Sequence, residues 1–268
     1  MRRVGLVGFG AIGIAITRAW RMIDASHQLV AVLVRETAAD AARAQLPGQV
    51  AVMTDIDDFL AQDLDVCVEA AGQGFVKTHG DRVAGRCRAF SILSAGALVD
   101  DVFRAELLAT AARRGGRLQI PCGALGGFDS LLAMRASGLR EVRYTSTKPV
   151  EAWRGTFADA DGRLDGLSRP YVLFEGSARD AAARYPKNAN LAAAVAFAGL
   201  GLGATQVKLV ADPEATVNTG RVEARSEAGR LDLTIESAGD PANPKTSTVT
   251  ALSVLSSLIN QEAVLQFV

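Results

Sequence analysis

The sequence predicts an α/β fold in two parts: a doubly wound parallel sheet, then an α+β second domain with a mixed or antiparallel sheet. Three observations carry this. Strand-sized apolar runs alternate with helix-sized segments over residues 1–120, the pattern of a parallel sheet covered on both faces. The first run, Val4-Gly5-Leu6-Val7, passes straight into Gly8-Phe9-Gly10-Ala11-Ile12-Gly13, a Gly-x-Gly-x-x-Gly turn that opens an apolar helix. After residue 206, three runs alternate only in part, which suits a sheet with one covered face and one more open.

The elements follow in order. The first strand covers 3–7 and its helix 11–22. A second strand at 29–34 leads to a short helix, 38–44, and a third strand, 50–53. Asp55 is placed to cap a helix over 56–61. The fourth strand is 66–70, the fifth 90–93 after a helix 76–85, and the sixth 117–120 after a helix 101–114. These make a Rossmann-type dinucleotide-binding domain over residues 1–122. The glycines of 123–127 then precede a helix 130–137 and a strand 141–145. A glycine- and charge-rich stretch, 155–166, reads as a loop. Ser177 can cap a helix 178–185, and Asn190 one over 191–198. Strands follow at 206–210, 221–226 and 230–236. Residues 123–245 therefore read as an α+β domain for substrate and dimerisation. Val249, Leu252, Leu255 and Leu258 give 247–259 a helical period, and this C-terminal helix, within 246–268, is expected to rejoin the first domain. The active site is expected in the cleft between the two.

Composition narrows the class. The chain has 268 residues, 49% hydrophobic and 22% charged, as in soluble globular proteins. Twenty-nine Lys+Arg balance 29 Asp+Glu, so no electrostatic case exists for nucleic acid. The apolar stretch at 191–204 is rich in glycine and alanine and too short for a membrane span. Cys67, Cys87 and Cys122 lack Cys-x-x-Cys spacing, which argues against a disulfide scaffold or a zinc site. No metal is expected. The chain opens directly on a strand, leaving no room for a signal peptide, and a cytoplasmic location is expected.

The glycine turn has a mechanical reading. Gly8 permits the tight turn, Gly10 admits a pyrophosphate against the backbone, and Gly13 lets helix and strand pack closely. The phosphates would rest on N–H groups from Ala11, Ile12 and Gly13. At the end of the second strand an NAD site carries an acidic residue that binds the ribose hydroxyls. Here Val34 and Arg35 hold that place, with Glu36 one residue later. Arg35 favours a 2′-phosphate, hence NADP, and Glu36 keeps NAD open. The same rim is completed by Ala71, Gly72 and Gln73 after the fourth strand and by Ala95 after the fifth. Cys122 to Gly127 follow the sixth. Each cluster alone is also an ordinary βα turn.

In the second half, Thr147-Lys148-Pro149 offers a cation, and Lys187-Asn188-Ala189-Asn190 sets two amides beside a helix start. Asn218-Thr219-Gly220-Arg221 lies between strands. Asn243-Pro244-Lys245-Thr246-Ser247 joins a lysine to a capped helix N-terminus, a good carboxylate receptor. Singly these are caps or turns; together they suggest a small anionic substrate, with Asn188, Thr246 and Ser247 as contacts. Of the two histidines, His27 reads as a surface residue before the second strand. His79 lies on the helix after the fourth strand and can face the site or solvent.

These segments resemble the L-aspartate dehydrogenase family over nearly the whole chain. The stretches are Gly8-Phe9-Gly10-Ala11-Ile12-Gly13, Glu69-Ala70-Ala71-Gly72-Gln73, Pro121-Cys122-Gly123-Ala124-Leu125-Gly126-Gly127-Phe128-Asp129 and Thr147-Lys148-Pro149. Phe174-Glu175-Gly176-Ser177-Ala178-Arg179, Tyr185-Pro186-Lys187-Asn188-Ala189-Asn190-Leu191-Ala192-Ala193 and Asn243-Pro244-Lys245-Thr246-Ser247 complete the match. The resemblance implies NAD(P)-dependent oxidative deamination of L-aspartate to iminosuccinate and oxaloacetate, and the reverse reductive amination with ammonia. It also implies a homodimer, a place in NAD biosynthesis, and cofactor contacts at Ala124 and Asn190. The family's catalytic histidine stands in an Asn-x-His stretch, and here the stretch reads Asn218-Thr219-Gly220. Three readings follow. Lys148, Lys245 or His79 takes over the task, the reaction differs, or the enzyme is weakened. The alternatives to an aspartate dehydrogenase are an NAD(P)H-dependent reductase of another small dicarboxylate imine or ketone, and a non-catalytic NADP-binding protein.

Overall fold

The computed structural model describes residues 1–23, 26–159, 162–186, 188–240 and 243–267, and the side chains of 240 and 243–246 also lie outside the description. The chain divides into two units, Met1–Pro121 with Thr250–Val268, and Cys122–Val249.

In the first unit the apolar runs become strands β1 (Arg2–Val7), β2 (His27–Leu33), β3 (Ala51–Met53), β4 (Val66–Glu69), β5 (Ala89–Ile92) and β6 (Arg117–Gln119). They pair in parallel in the order β3-β2-β1-β4-β5-β6. The order reverses between β1 and β4, and in such sheets ligands bind outside the carboxyl ends of the strands at that point. The connecting helices are α1 (Ala11–Ala19), α2 (Ala39–Arg43), α3 (Ile56–Leu60), α4 (Gln73–Ala84) and α5 (Asp101–Arg113). Asp55 does cap α3, accepting from the N–H groups of Asp57 and Asp58, and Asp100 caps α5 likewise. Leu6, Ile16, Val32 and Val68 form the core together with Val254, Leu255 and Leu258 from the helix Thr248–Glu262.

The second unit contains α6 (Phe128–Ala136), β7 (Leu139–Pro149), β8 (Tyr171–Ser177), α7 (Ala178–Arg184), α8 (Asn190–Ala198), β9 (Gln206–Asp212), β10 (Asn218–Ser226), β11 (Gly229–Ser237), β12 (Gly239–Asp240), β13 (Asn243–Ser247) and α9 (Thr248–Glu262, shared with the first unit). Its five-stranded sheet runs β11-β10-β7-β9-β8. Only the β7–β9 pair is parallel, so the sheet is mixed. Val142, Tyr144 and Ser146 of β7 and Gly220, Val222 and Ala224 of β10 are buried at alternate positions, as one covered face requires. The opposite face carries ion pairs such as Arg221–Asp232 at 2.8 Å and Arg143–Glu175 at 3.5 Å.

Several expectations are corrected. His27 is not on the surface: it opens β2, is buried, and its Nδ1 lies 2.8 Å from the Ser26 hydroxyl. β7 extends from 139 to 149 and takes in Lys148, because β10 and β9 pair with it along almost its whole length. Asn190 is the first helical residue of α8, and Ala189 holds the cap position. Residues 243–247 form a strand with β12, and the helix begins only at Thr248.

Candidate active site

At the end of β1 the motif glycines meet different surroundings. Gly8 has φ +94°, and a Cβ there would lie 2.7 Å from the Ala70 carbonyl oxygen. A Cβ on Gly13 would collide with the Gly8 carbonyl oxygen. The fold itself therefore demands glycine at both. Gly10 differs, since a Cβ there meets nothing within 4 Å. Its bare backbone leaves space for a ligand. Gly10 also occupies the cap position of α1 with no side-chain hydrogen bond, and helix starts leave such N–H groups, here those of Ala11, Ile12 and Gly13, without intrahelical acceptors. This cradle fits a dinucleotide pyrophosphate. The Gly8 N–H donates to the Leu33 carbonyl at 2.9 Å, which ties the end of β2 to the turn. Arg35 and Glu36 follow β2 and are both exposed.

Glu69 is the residue whose task the sequence reading missed. It ends β4 fully buried. Its Oε1 accepts from the N–H groups of Ala71 (2.8 Å) and Gly72 (2.6 Å) and from the Ser94 hydroxyl (3.0 Å). Its Oε2 accepts from the Ser94 N–H at 3.0 Å. One carboxylate thus joins the turn after β4 to the turn after β5, the two rims expected to face a dinucleotide. Burial raises its pKa from the ordinary value, opposed by these hydrogen bonds. The available signal was an acidic residue closing the apolar run Val66-Cys67-Val68. Gly72 has φ +112° and caps α4, Gln73 opens that helix, and Ala95 is buried just past Ser94. His79, six residues beyond Gln73, is half-buried with its ring 5.2 Å from that of Phe75.

In the second unit Lys148 and position 220 share one sheet face. Gly220 pairs with Ser146 of β7, and Lys148 lies two residues on, so the two are diagonal neighbours about 7–8 Å apart. The Lys148 ammonium sits 5.4 Å from the centre of the Trp153 ring. Part of its surface stays open, yet burial of its end lowers the pKa to about 8. Where a side chain at 220 would begin, a Cβ would meet Leu125 Cδ1 at 3.1 Å and the Tyr144 hydroxyl at 3.8 Å. Tyr144 is fully enclosed, hydrogen-bonded to Ser146, with its pKa pushed up to about 12 by burial.

Trp153 meets Tyr185 edge to face at 6.1 Å, and the Asn188 N–H donates to the Tyr185 carbonyl at 2.9 Å. The Asn188 Oδ1 is buried without a hydrogen-bond partner among the described residues. The β13 backbone lies beside the turn that carries Trp153. Contacts thus link Lys148, Trp153, Asn188 and the 243–247 strand. Ser247 accepts from the Val249 N–H at 3.2 Å and caps α9. Asn190 opens α8, and Ala124 is buried in the loop before α6. Lys187 and the side chains of Lys245 and Thr246 lie outside the described residues.

Known proteins resemble both units. The family described as "Aspartate dehydrogenase, C-terminal" matches residues 129–261, and "Homoserine dehydrogenase, NAD binding domain" matches residues 8–121. The chain is 44% identical to an L-aspartate dehydrogenase of Cupriavidus necator, over 97% of this chain and 98% of that one. It is 40% identical to L-aspartate dehydrogenase 2 of Bordetella pertussis, over 96% and 95%. Among solved structures, aspartate dehydrogenase from Thermotoga maritima aligns over the full length of both chains with a TM-score of 0.79 and 25% identity.

Proposed function

The chain belongs to the aspartate dehydrogenase family, and from that premise we propose how its own residues carry the reaction. It is an NAD(P)-dependent amino acid dehydrogenase. The reaction oxidises L-aspartate to iminosuccinate, and water then converts the imine to oxaloacetate with release of ammonia; the reverse is reductive amination. NAD or NADP, when bound, accepts or returns the hydride.

The protein's part begins with holding. Gly10 keeps the backbone bare, and the start of α1 offers N–H groups to the pyrophosphate. Glu69 fixes the turns at 71–72 and 94. Arg35 pairs with a 2′-phosphate where one is present. Acid–base work falls to Lys148. Its pKa of about 8 lets it give or take a proton near neutral pH, as general catalysis requires. It stands on the same sheet face as Gly220, where the family's histidine is missing. In deamination, neutral Lys148 takes a proton from the attacking water. In amination, its ammonium returns that proton to the departing hydroxyl. The open acceptor on Asn188 is offered to the substrate ammonium or to this water.

The single observation that carries this reading is Lys148, a titratable group of lowered pKa diagonal to the vacant position. The test is the initial rate of NADPH and NADH oxidation with oxaloacetate and ammonia, for the native protein and Lys148→Met. Turnover that falls in kcat by about 10²–10⁴ supports the acid–base role. A rise in KM alone would make Lys148 a carboxylate receptor instead. The family resemblance further supports a homodimer in the cytoplasm, which light scattering and cell fractionation test. Among the described residues no helix is long and apolar enough to cross a membrane.

A further inference from the structure

A cavity of about 690 Å³ opens at the amino ends of the first unit's strands, the opposite end from the glycine turn. Five arginines line it, Arg2, Arg86, Arg88, Arg114 and Arg117, against two carboxylates, Asp65 and Glu262. The chain as a whole has equal numbers of acidic and basic residues, so an excess of three positive charges here is local. Asp65 is shared at long range, 3.9 Å from Arg2 and 3.6 Å from Arg88, and among the described residues Glu262 pairs with Arg2 alone, at 3.1 Å. Arg86, Arg114 and Arg117 have no ion pair among the described residues. Helix dipoles favour cations at helix C-termini, but Arg82 and Arg113 already fill the last turns of α4 and α5. Arg86 and Arg117 lie beyond those ends.

We propose that this arginine-lined cavity binds a small polyanion of the di- or polyphosphate class, free or as part of a nucleotide. Guanidinium forks match phosphate oxygens two at a time. The volume lies in the range of small-ligand pockets, about 300–1,000 Å³. Several arginines converging on one concavity suit a ligand with several anionic groups better than a single carboxylate. The site is built within one unit and is separate from the reaction proposed above, so each stands or falls alone.

The test is calorimetric titration of inorganic pyrophosphate at physiological salt. Three proteins are compared: native, Arg86→Gln/Arg114→Gln/Arg117→Gln, and Gly10→Asp, which obstructs the other phosphate site. Saturable binding that weakens at least tenfold in the arginine variant and persists in Gly10→Asp supports the proposal. Binding lost in Gly10→Asp and kept in the arginine variant overturns it, as does no saturable binding to the native protein. The three arginines are exposed, and thermal unfolding confirms that the variant folds. ATP titrated in parallel distinguishes a nucleotide from the bare phosphate chain. A short RNA that binds in several copies, more tightly than either, would overturn the assignment to a small ligand.

Discussion

Replacing Glu69 by glutamine tests the joint between the two turns. The native carboxylate accepts four hydrogen bonds, three at Oε1 and one at Oε2. Glutamine has one acceptor oxygen. Seated at the Oε1 place, it keeps three bonds and turns its NH₂ toward the buried Ser94 N–H. One hydrogen bond is lost, and two donors, the Ser94 N–H and the new NH₂, are left facing each other without an acceptor, which costs about 1–3 kcal/mol or more. For a unit of this size that lowers Tm by about 2–12 °C. The turn at 94 also loosens from the β4 rim, and the affinity for NADPH falls. Differential scanning calorimetry and fluorescence titration read the two effects. The pH dependence has a definite sign. Burial holds the Glu69 pKa above that of the unfolded chain, so its titration favours the fold below the ordinary carboxylate range. That contribution is lost as pH rises through the raised pKa. The margin of native protein over Glu69→Gln is therefore expected to shrink from acid toward neutral pH. A variant as stable as the native protein, with the same cofactor affinity, would refute the clamp. A margin that grows with pH would show that the hydrogen bonds outweigh burial.

Other expectations are open to direct measurement. The deamination rate should rise with pH through about 8, where Lys148 loses its proton, and amination should fall over the same range; both limbs vanish in Lys148→Met, and a profile that keeps them assigns the proton to another group. Gly220→His alone should gain little, because its Cβ meets Leu125 at 3.1 Å and overpacking costs about 1–3 kcal/mol. Pairing it with Leu125→Ala should raise kcat, and equal rates for the single and double variants would exclude crowding as the obstacle. Arg35→Ser should lower kcat/KM for NADPH by about 10–100-fold, the worth of a charge-assisted hydrogen bond, and leave NADH nearly unchanged. Equal losses with both cofactors would remove Arg35 from the 2′-phosphate.

The parallel half was legible because its central strands, β1, β2, β4 and β5, are largely buried on both faces. A run such as Leu29-Val30-Ala31-Val32-Leu33 can hardly be anything else. β8 was not foreseen, for a physical reason. Its register against β9 shifts between Val172 and Phe174, and a bulge breaks the alternation by which half-buried strands are recognised. β13 holds a proline and a lysine and, among the described residues, pairs only with the two-residue β12, so it carries no apolar signature. At the candidate site, the glycine turn and the Asn218-Thr219-Gly220 stretch were plain in the residues. The altered acidity of Lys148 was not, since it arises from burial beside Trp153. Nor was the neighbour that crowds Gly220, because Leu125 lies 95 residues before it and only the sheet register brings Tyr144 and Ser146 beside that position.

The return of Thr248–Glu262 into the first unit sets a timetable for synthesis. Val254, Leu255 and Leu258 belong to the same core as Leu6 and Val32, yet all of residues 122–249 are made between them. At about 5–20 residues per second, the nascent nucleotide-binding half waits roughly 6–26 s with one side of its core uncovered. Meanwhile the interrupting unit, whose residues are contiguous, has all its parts and can fold first. Of the two units, the one whose translation starts earlier is thus the later to be completed, and over that interval chaperones would meet the exposed apolar faces of α1 and the central strands.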